Sequence, residues 1–241
     1  MVLIASPPPL KPPSPLFRSL VAGSFMLRIF DPTRHGSTAL SFRYFGPLGR
    51  FDHQRLALGG FPADTSETVA RSREVSSRIM RDKTRQRLSP TGSSSEDPSR
   101  GISYAGLTLS CCLVECFGDV GVIEIKGQQI ARLELTRDLT LLDLRGSGAM
   151  RAGAVAALAK IADRNLSQAW SRYFYEQTAD YGQLDGISYL NAHNDEEAIA
   201  IYERAQSALI CPDSQILPLN HPSLRPAILE AALTNHLDFL P

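Results

Sequence analysis

Between Gly101 and Arg204 the chain breaks into short apolar segments, GISYAG, GVIEIKG, ARLELT, LTLLDLRG, GISYLN and AIAIYER, bounded by glycines, charged residues and polar turns. This succession constrains the fold more than any other feature. Short segments that alternate or run apolar between such boundaries form strands. Helical patterns fall between some of them only. From Thr108 to Phe117, Leu109, Cys112, Leu113 and Cys116 recur at helical spacing ahead of Gly118, which predicts a short buried helix. The stretch AMRAGAVAALAKIADRNLSQAWSRYFYEQ predicts one or two helices, with an apolar stripe up to about Ala162 and a break near Asp163 to Ser167. PSLRPAILEAALTNHLDFL predicts a C-terminal helix with Ser223 as N-cap and Pro226 in the first turn. Strands and helices are mixed without regular alternation, so the expected class is α+β, with largely antiparallel strands and flanking helices.

Prolines at positions 7 to 9, 12, 13 and 15 oppose regular structure, and residues 1–25 are expected to be a disordered Pro-rich leader. A first strand at LRIF opens a single domain over 26–241, and the 43% hydrophobic content of the chain is ample for its core. Residues 62–100 are polar, Arg-rich at their centre and Ser/Pro-rich at their end. They predict a flexible surface insertion with at most one short helix, its basic run a solvated face.

Lys+Arg and Asp+Glu are both 25, so no global charge favours nucleic acid or an acidic membrane surface, and a cationic site must be local. No run approaches the roughly 18 apolar residues of a membrane span. Cys111, Cys112, Cys116 and Cys211 show no CxxC spacing and lie far from the histidines. Reduced, mostly buried thiols in a cytoplasmic protein are expected, with no metal site; the one-turn spacing of Cys112 and Cys116 leaves a redox role open. The chain lacks the P-loop, dinucleotide-fold and zincin motifs.

The local candidate is FRYFGPLGRFDHQ, residues 42–54, which follows neither a helix period nor a strand alternation. Isolated polar residues also stand at the ends of apolar segments: Arg28, Tyr104, Glu115 and Asn191. Taken singly, each has an ordinary structural explanation. Glu115 is the sole charge in its apolar segment, and a buried carboxylate without partners is costly, so it must face a cleft or meet a cation.

In chain order, the arginine of LRIF, the arginine of GPLGRFD, the tyrosine of ISYAG, the glutamate of LVECFGD and the segment DGISYLN resemble the RES domain, from about Met26 to Gln206. The resemblance implies a fold similar to the ADP-ribosyltransferase toxins and an enzyme that consumes NAD as substrate. The nicotinamide–ribose bond would be cut by hydrolysis, or by phosphorolysis with inorganic phosphate as acceptor. It also implies a toxin of a toxin–antitoxin pair, with a helix-turn-helix antitoxin covering the site and no direct nucleic-acid or membrane partner. Transfer of ADP-ribose to a protein, or a non-catalytic nucleotide-binding protein, remain alternatives. Under this resemblance Glu115 and Arg50 are catalytic, and Arg28, Tyr104, Asn191, Gly49 and Phe51 bind substrate. The chemistry is consistent: guanidinium forks meet phosphate oxygens, a carboxylate stabilises an oxocarbenium-like ribose, an aromatic face holds cationic nicotinamide, and Gly46 and Gly49 let backbone approach a phosphate. The chain departs from the family where Asn191 stands at the serine position, with Ser188 near it.

Overall fold

The structure, a computed structural model, describes residues 5–56 and 94–240. Its strands are β1 (Phe17–Leu20), β2 (Phe25–Phe30), β3 (Phe45–Gly46), β4 (Ser95–Glu96), β5 (Ile102–Gly106), β6 (Val122–Glu124) and β7 (Gln129–Leu135). They continue with β8 (Leu139–Asp143), β9 (Gly186–Leu190), β10 (Glu197–Tyr202), β11 (Leu209–Ile210), β12 (Ile216–Pro218) and β13 (Asp238–Leu240). The longer helices are α1 (Leu109–Phe117), α2 (Arg164–Glu176) and α3 (Arg225–Thr234). The class is α+β. Among the described residues the main sheet runs β1-β8-β9-β10-β5-β2-β7-β11, with β12 also on β7. All its pairs are antiparallel except β8 with β9.

β10 shows why its segment reads as a continuous apolar run. Ala198, Ala200 and Tyr202 join a cluster with Trp170 and Phe174 of α2, whereas Ile199 and Ile201 join Met26, Phe42 and Leu139 on the other face. A strand covered on both faces has no polar side to display. Helix α2 docks through Ser167, Trp170, Ser171 and Phe174, spaced for one face; full burial of Phe174 alone is worth about 2 kcal/mol. Helices α1 and α3 share a further cluster containing Leu113, Phe117, Ile123, Leu219 and Ile228.

The first correction falls at the N-terminus. Residues 17–20 form β1 on β8, the Trp170 indole donates to Ala5 O at 2.9 Å, and Ser14 N donates to Arg151 O at 2.8 Å. The prolines fix extended backbone there, and extended backbone docks on an edge. The second falls on the Ala-rich stretch. One helical turn at Gly148–Arg151 ends before Gly153, whose φ of 85° breaks it and where a Cβ would meet Pro9 at 2.4 Å. Only α2, capped by Asp163 accepting from Asn165 N at 3.0 Å, is a long helix. Ser223 lies in a 3₁₀ turn before α3 and does not cap it.

Most of the expected insertion lies outside the described residues. Residues 94–100 do not fit a flexible segment: β4 pairs with β3, and Arg55 forks onto the buried Asp97 at 2.8 and 2.7 Å. The two ends of the undescribed stretch are thereby pinned side by side.

Candidate active site

The loop from Arg43 to Gln54 is organised from within by Asp52, which is fully buried. Its carboxylate accepts from Arg43 Nη2 at 2.9 and 2.8 Å, Leu48 N at 2.5 Å, Gly49 N at 2.8 Å and the Tyr104 hydroxyl at 2.8 Å. Tyr104 in turn accepts from Phe51 N at 3.0 Å. Such a carboxylate is tolerable inside a protein because every lone pair has a donor. A Cβ on Gly49 would sit 2.7 Å from both Asp52 Oδ1 and the Tyr104 hydroxyl. Gly49 is therefore required for the loop to close on Tyr104. Its N–H donates to Asp52 and its carbonyl accepts from Gln168 Nε2 at 2.8 Å, so the N–H is not left to meet a phosphate. Phe51 is fully buried with its ring 4.7 Å from Tyr189; it packs the core beneath the site.

Arg50 escapes this internal network. It bonds through Nη1 to Ile161 O and lies within electrostatic reach of Arg164, Tyr189, Glu115 and Tyr104. Glu115 comes from the last turn of α1, a helix started by Thr108, whose hydroxyl accepts from Cys111 N at 2.9 Å. Its side chain keeps a solvent-facing surface, yet the surrounding protein desolvates it enough to raise its pKa. His193, Arg50 and Arg164 pull the pKa back down, and Asp119 pushes it up. Next to it, a Cβ on Gly118 would lie 2.7 Å from His193 Nδ1, so glycine at the helix end admits the histidine. The ring of Tyr104 is half-buried and Tyr189 nearly wholly so. Arg50, Glu115, Tyr104 and Tyr189 thus converge from a loop, a helix and two strands of the sheet.

Two residues assigned to substrate from the sequence are set apart. Arg28 donates to Ser41 O at 2.5 Å, Ala39 O at 3.1 Å and Ser103 Oγ at 2.8 Å. Ser103 and Tyr104 are neighbours on β5 and face opposite sides of the sheet, so Arg28 braces the side away from Tyr104. Burial lowers its pKa to about 10. Asn191 is fully buried; Oδ1 accepts from His193 N at 2.8 Å and Asn194 N at 2.9 Å, and Nδ2 donates to Asn194 Oδ1 at 2.7 Å. It holds the 191–194 turn and, through it, His193. Ser188 is no substitute. It alternates with Tyr189 on β9, and its hydroxyl donates to Glu197 Oε1 at 2.9 Å within a network of Arg18, Arg145 and Asp143.

The cysteines are free. Burial pushes Cys111 up to about 12, and Cys111 and Cys112 donate to backbone carbonyls at 3.3 and 3.2 Å, which leaves little reactive thiolate. Among the described residues no cluster of three His, Cys, Asp or Glu could hold a metal, and no helix is long and apolar enough to cross a membrane. The sequence reading missed Arg164, His193 and Tyr189. Only Arg164 left a trace, in the break of the helical pattern where α2 begins.

A partly desolvated glutamate thus stands within electrostatic reach of Arg50, Arg164 and His193. The RES domain family model matches residues 68–221, well over half of the chain, and the chain belongs to that family. The match includes Tyr104, Glu115 and Asn191 and begins after Arg28 and Arg50. A protein of Sinorhizobium fredii named "Probable toxin y4kH" is 30% identical over 86 residues, 36% of this chain and 65% of that protein. The chain thus spans 65% of the curated relative's length. The crystal structure of the Mycobacterium tuberculosis MbcT–MbcA toxin–antitoxin complex is 11% identical with a TM-score of 0.46, covering 87% of this chain and 90% of that one. A likeness of that size carries no weight for the chemistry here.

Proposed function

We propose that this chain is an NAD-consuming enzyme that cleaves the nicotinamide–ribose bond, with Glu115 and Arg50 as catalytic residues. The observation that carries the reading is the convergence of Arg50, Glu115, Tyr104 and Tyr189 in one electrostatic neighbourhood. As the C–N bond breaks, its electron pair leaves with nicotinamide and neutralises the ring charge, while ribose C1′ becomes oxocarbenium-like. The Glu115 carboxylate offsets that charge where partial desolvation strengthens the interaction. Arg50 holds phosphoryl oxygens, and the half-buried face of Tyr104 lies beside the cationic nicotinamide. Water attacks C1′ and loses its proton to solvent, or an inorganic phosphate oxygen forms the new bond. Family membership and the relative's name support a toxin role; an antitoxin partner of the helix-turn-helix kind and action in the cytoplasm are part of this proposal.

Purified protein incubated with NAD, with and without phosphate, should release nicotinamide. Glu115→Gln should lower kcat about 100-fold or more with the fold intact. No release under either condition would sink the reading. Labelled NAD in cell extract separates a free product from ADP-ribose transferred to protein. A second reading is favoured by Asn191, whose polar groups are taken up by its own turn where the family places serine: a non-catalytic nucleotide-binding protein. Its signature is a thermal shift with NAD and no turnover.

A further inference from the structure

Arg50 and Arg164 are exchanged between two segments of the chain. Arg50, from the loop, donates to Ile161 O just before α2. Arg164, from the first turn of α2, donates back to Leu48 O in the loop at 3.1 Å, and Gln168 one turn on bonds Gly49 O at 2.8 Å. Each guanidinium is anchored by one nitrogen on a backbone carbonyl of the opposite segment. Neither makes an ion pair among the described residues, although the chain pairs Arg18, Arg43, Arg55, Arg100, Arg137 and Arg145 with carboxylates. Two like charges held near each other repel; Glu115 is within electrostatic reach of both and offsets part of this, and side-chain-to-backbone bonds fix where they stand. An anion with two or more phosphoryl oxygens relieves that repulsion and uses the free nitrogens of both forks.

We infer that the phosphoryl-binding pair of this site is Arg50 with Arg164, and that Arg28 is not part of it. The inference rests on the proposed NAD reading for the identity of the ligand, and names the side chain that recognises its charge. Phosphoryl oxygens reach this site from two sources, the diphosphate of the dinucleotide or an inorganic phosphate acceptor. Arg164 is exposed on the first turn of its helix, so its side chain can be changed without opening the core.

The test is a binding measurement that needs no turnover. Full-length wild-type, Arg164→Gln, Arg164→Lys and Arg28→Gln proteins are titrated by calorimetry with ADP-ribose and, separately, with inorganic phosphate, after the melting temperature of each free protein is recorded. Arg164→Gln should melt near wild type and bind ADP-ribose about 10-fold or more weakly, with a shallower dependence of affinity on salt. Arg164→Lys should recover part of the loss, since it restores the charge and not the fork. Arg28→Gln should lower the melting temperature, and its folded fraction should bind as wild type. A loss confined to ADP-ribose assigns the diphosphate, and a loss confined to inorganic phosphate assigns the acceptor. Wild-type affinity of Arg164→Gln for both would overturn the inference. Failure of the NAD reading would appear separately, as intact binding without nicotinamide release.

Discussion

Two polar loops flank Glu115, residues 43–54 and 191–196, and they treat their polar groups in opposite ways. In the first, one buried carboxylate, Asp52, gathers two backbone N–H groups, the Arg43 fork and the Tyr104 hydroxyl. That frees Arg50 to reach across to α2. In the second, the side chains serve the turn itself: Asn191 accepts two backbone N–H groups, and Asn194 Nδ2 reaches Asn235 Oδ1 at 2.7 Å and Glu196 Oε1 at 2.8 Å. A polar residue on such a loop is therefore available to a ligand only when something else satisfies the backbone around it.

The largest expected effect tests the first loop. Asp52→Ala would leave the Arg43 fork, two N–H groups and the Tyr104 hydroxyl without their acceptor. Breaking a buried charged pair on one side costs about 3–5 kcal/mol, and for a domain of this size the melting temperature should fall by about 10 °C. Nicotinamide release should vanish with it, because Arg50 loses its frame. A melting temperature within a degree or two of wild type would show that Asp52 does not hold the loop. Gly49→Ala probes the same closure from outside. Its Cβ would lie 2.7 Å from Asp52 Oδ1 and the Tyr104 hydroxyl, and overpacking of this kind costs about 1–3 kcal/mol.

The second loop should respond less. Asn191→Ala removes the acceptor of two backbone N–H groups, a loss of about 1–3 kcal/mol. Asn191→Ser, which restores the family residue, can still accept locally in the manner of a serine turn and should cost under about 1 kcal/mol. If Asn191 touched substrate directly, the serine variant would change KM far more than stability. Paired melting and kinetic measurements on both variants decide between the roles.

Much of this arrangement is legible in the sequence, and the parts that are not have identifiable reasons. The short segments give the strands because alternation and length are local properties, and Gly118 marks the end of α1 because a helix end is local too, whereas Thr108, read as the first helical residue, is its N-cap. Glu115 was found because a lone charge in an apolar helix needs a reason. Arg28 on its strand and Arg50 in its loop both read as candidates for a ligand, and only the three-dimensional contacts, not the sequence, show that Arg28 faces away. The pairing of Arg50 with Arg164 is a long-range exchange that no spacing encodes. The order in residues 5–25 was invisible for a related reason: proline-rich chain is extended with or without a partner, and its partner strand β8 lies far along the sequence.

The smallest effect concerns pH and ties the two loops together. Desolvation raises the Glu115 carboxyl, while His193 from the second loop, Arg50 from the first and Arg164 lower it. If the carboxylate is the working form, activity rises with pH as Glu115 ionises, with a midpoint above the ordinary glutamate value of about 4.3. In stability the sign is opposite. A folded carboxyl with a raised pKa binds more protons than the unfolded one, so its favourable contribution is present below the unfolded pKa and is lost as pH rises through the folded pKa. Removing a cation should move the acid limb of activity to higher pH. Arg164→Gln and His193→Gln should each do so, since both side chains lower the Glu115 pKa. The pH dependence of kcat/KM for the two variants against wild type reads this directly. A limb that stays put in both would mean that Glu115 does not feel the two loops together, and that these residues do not form one electrostatic site.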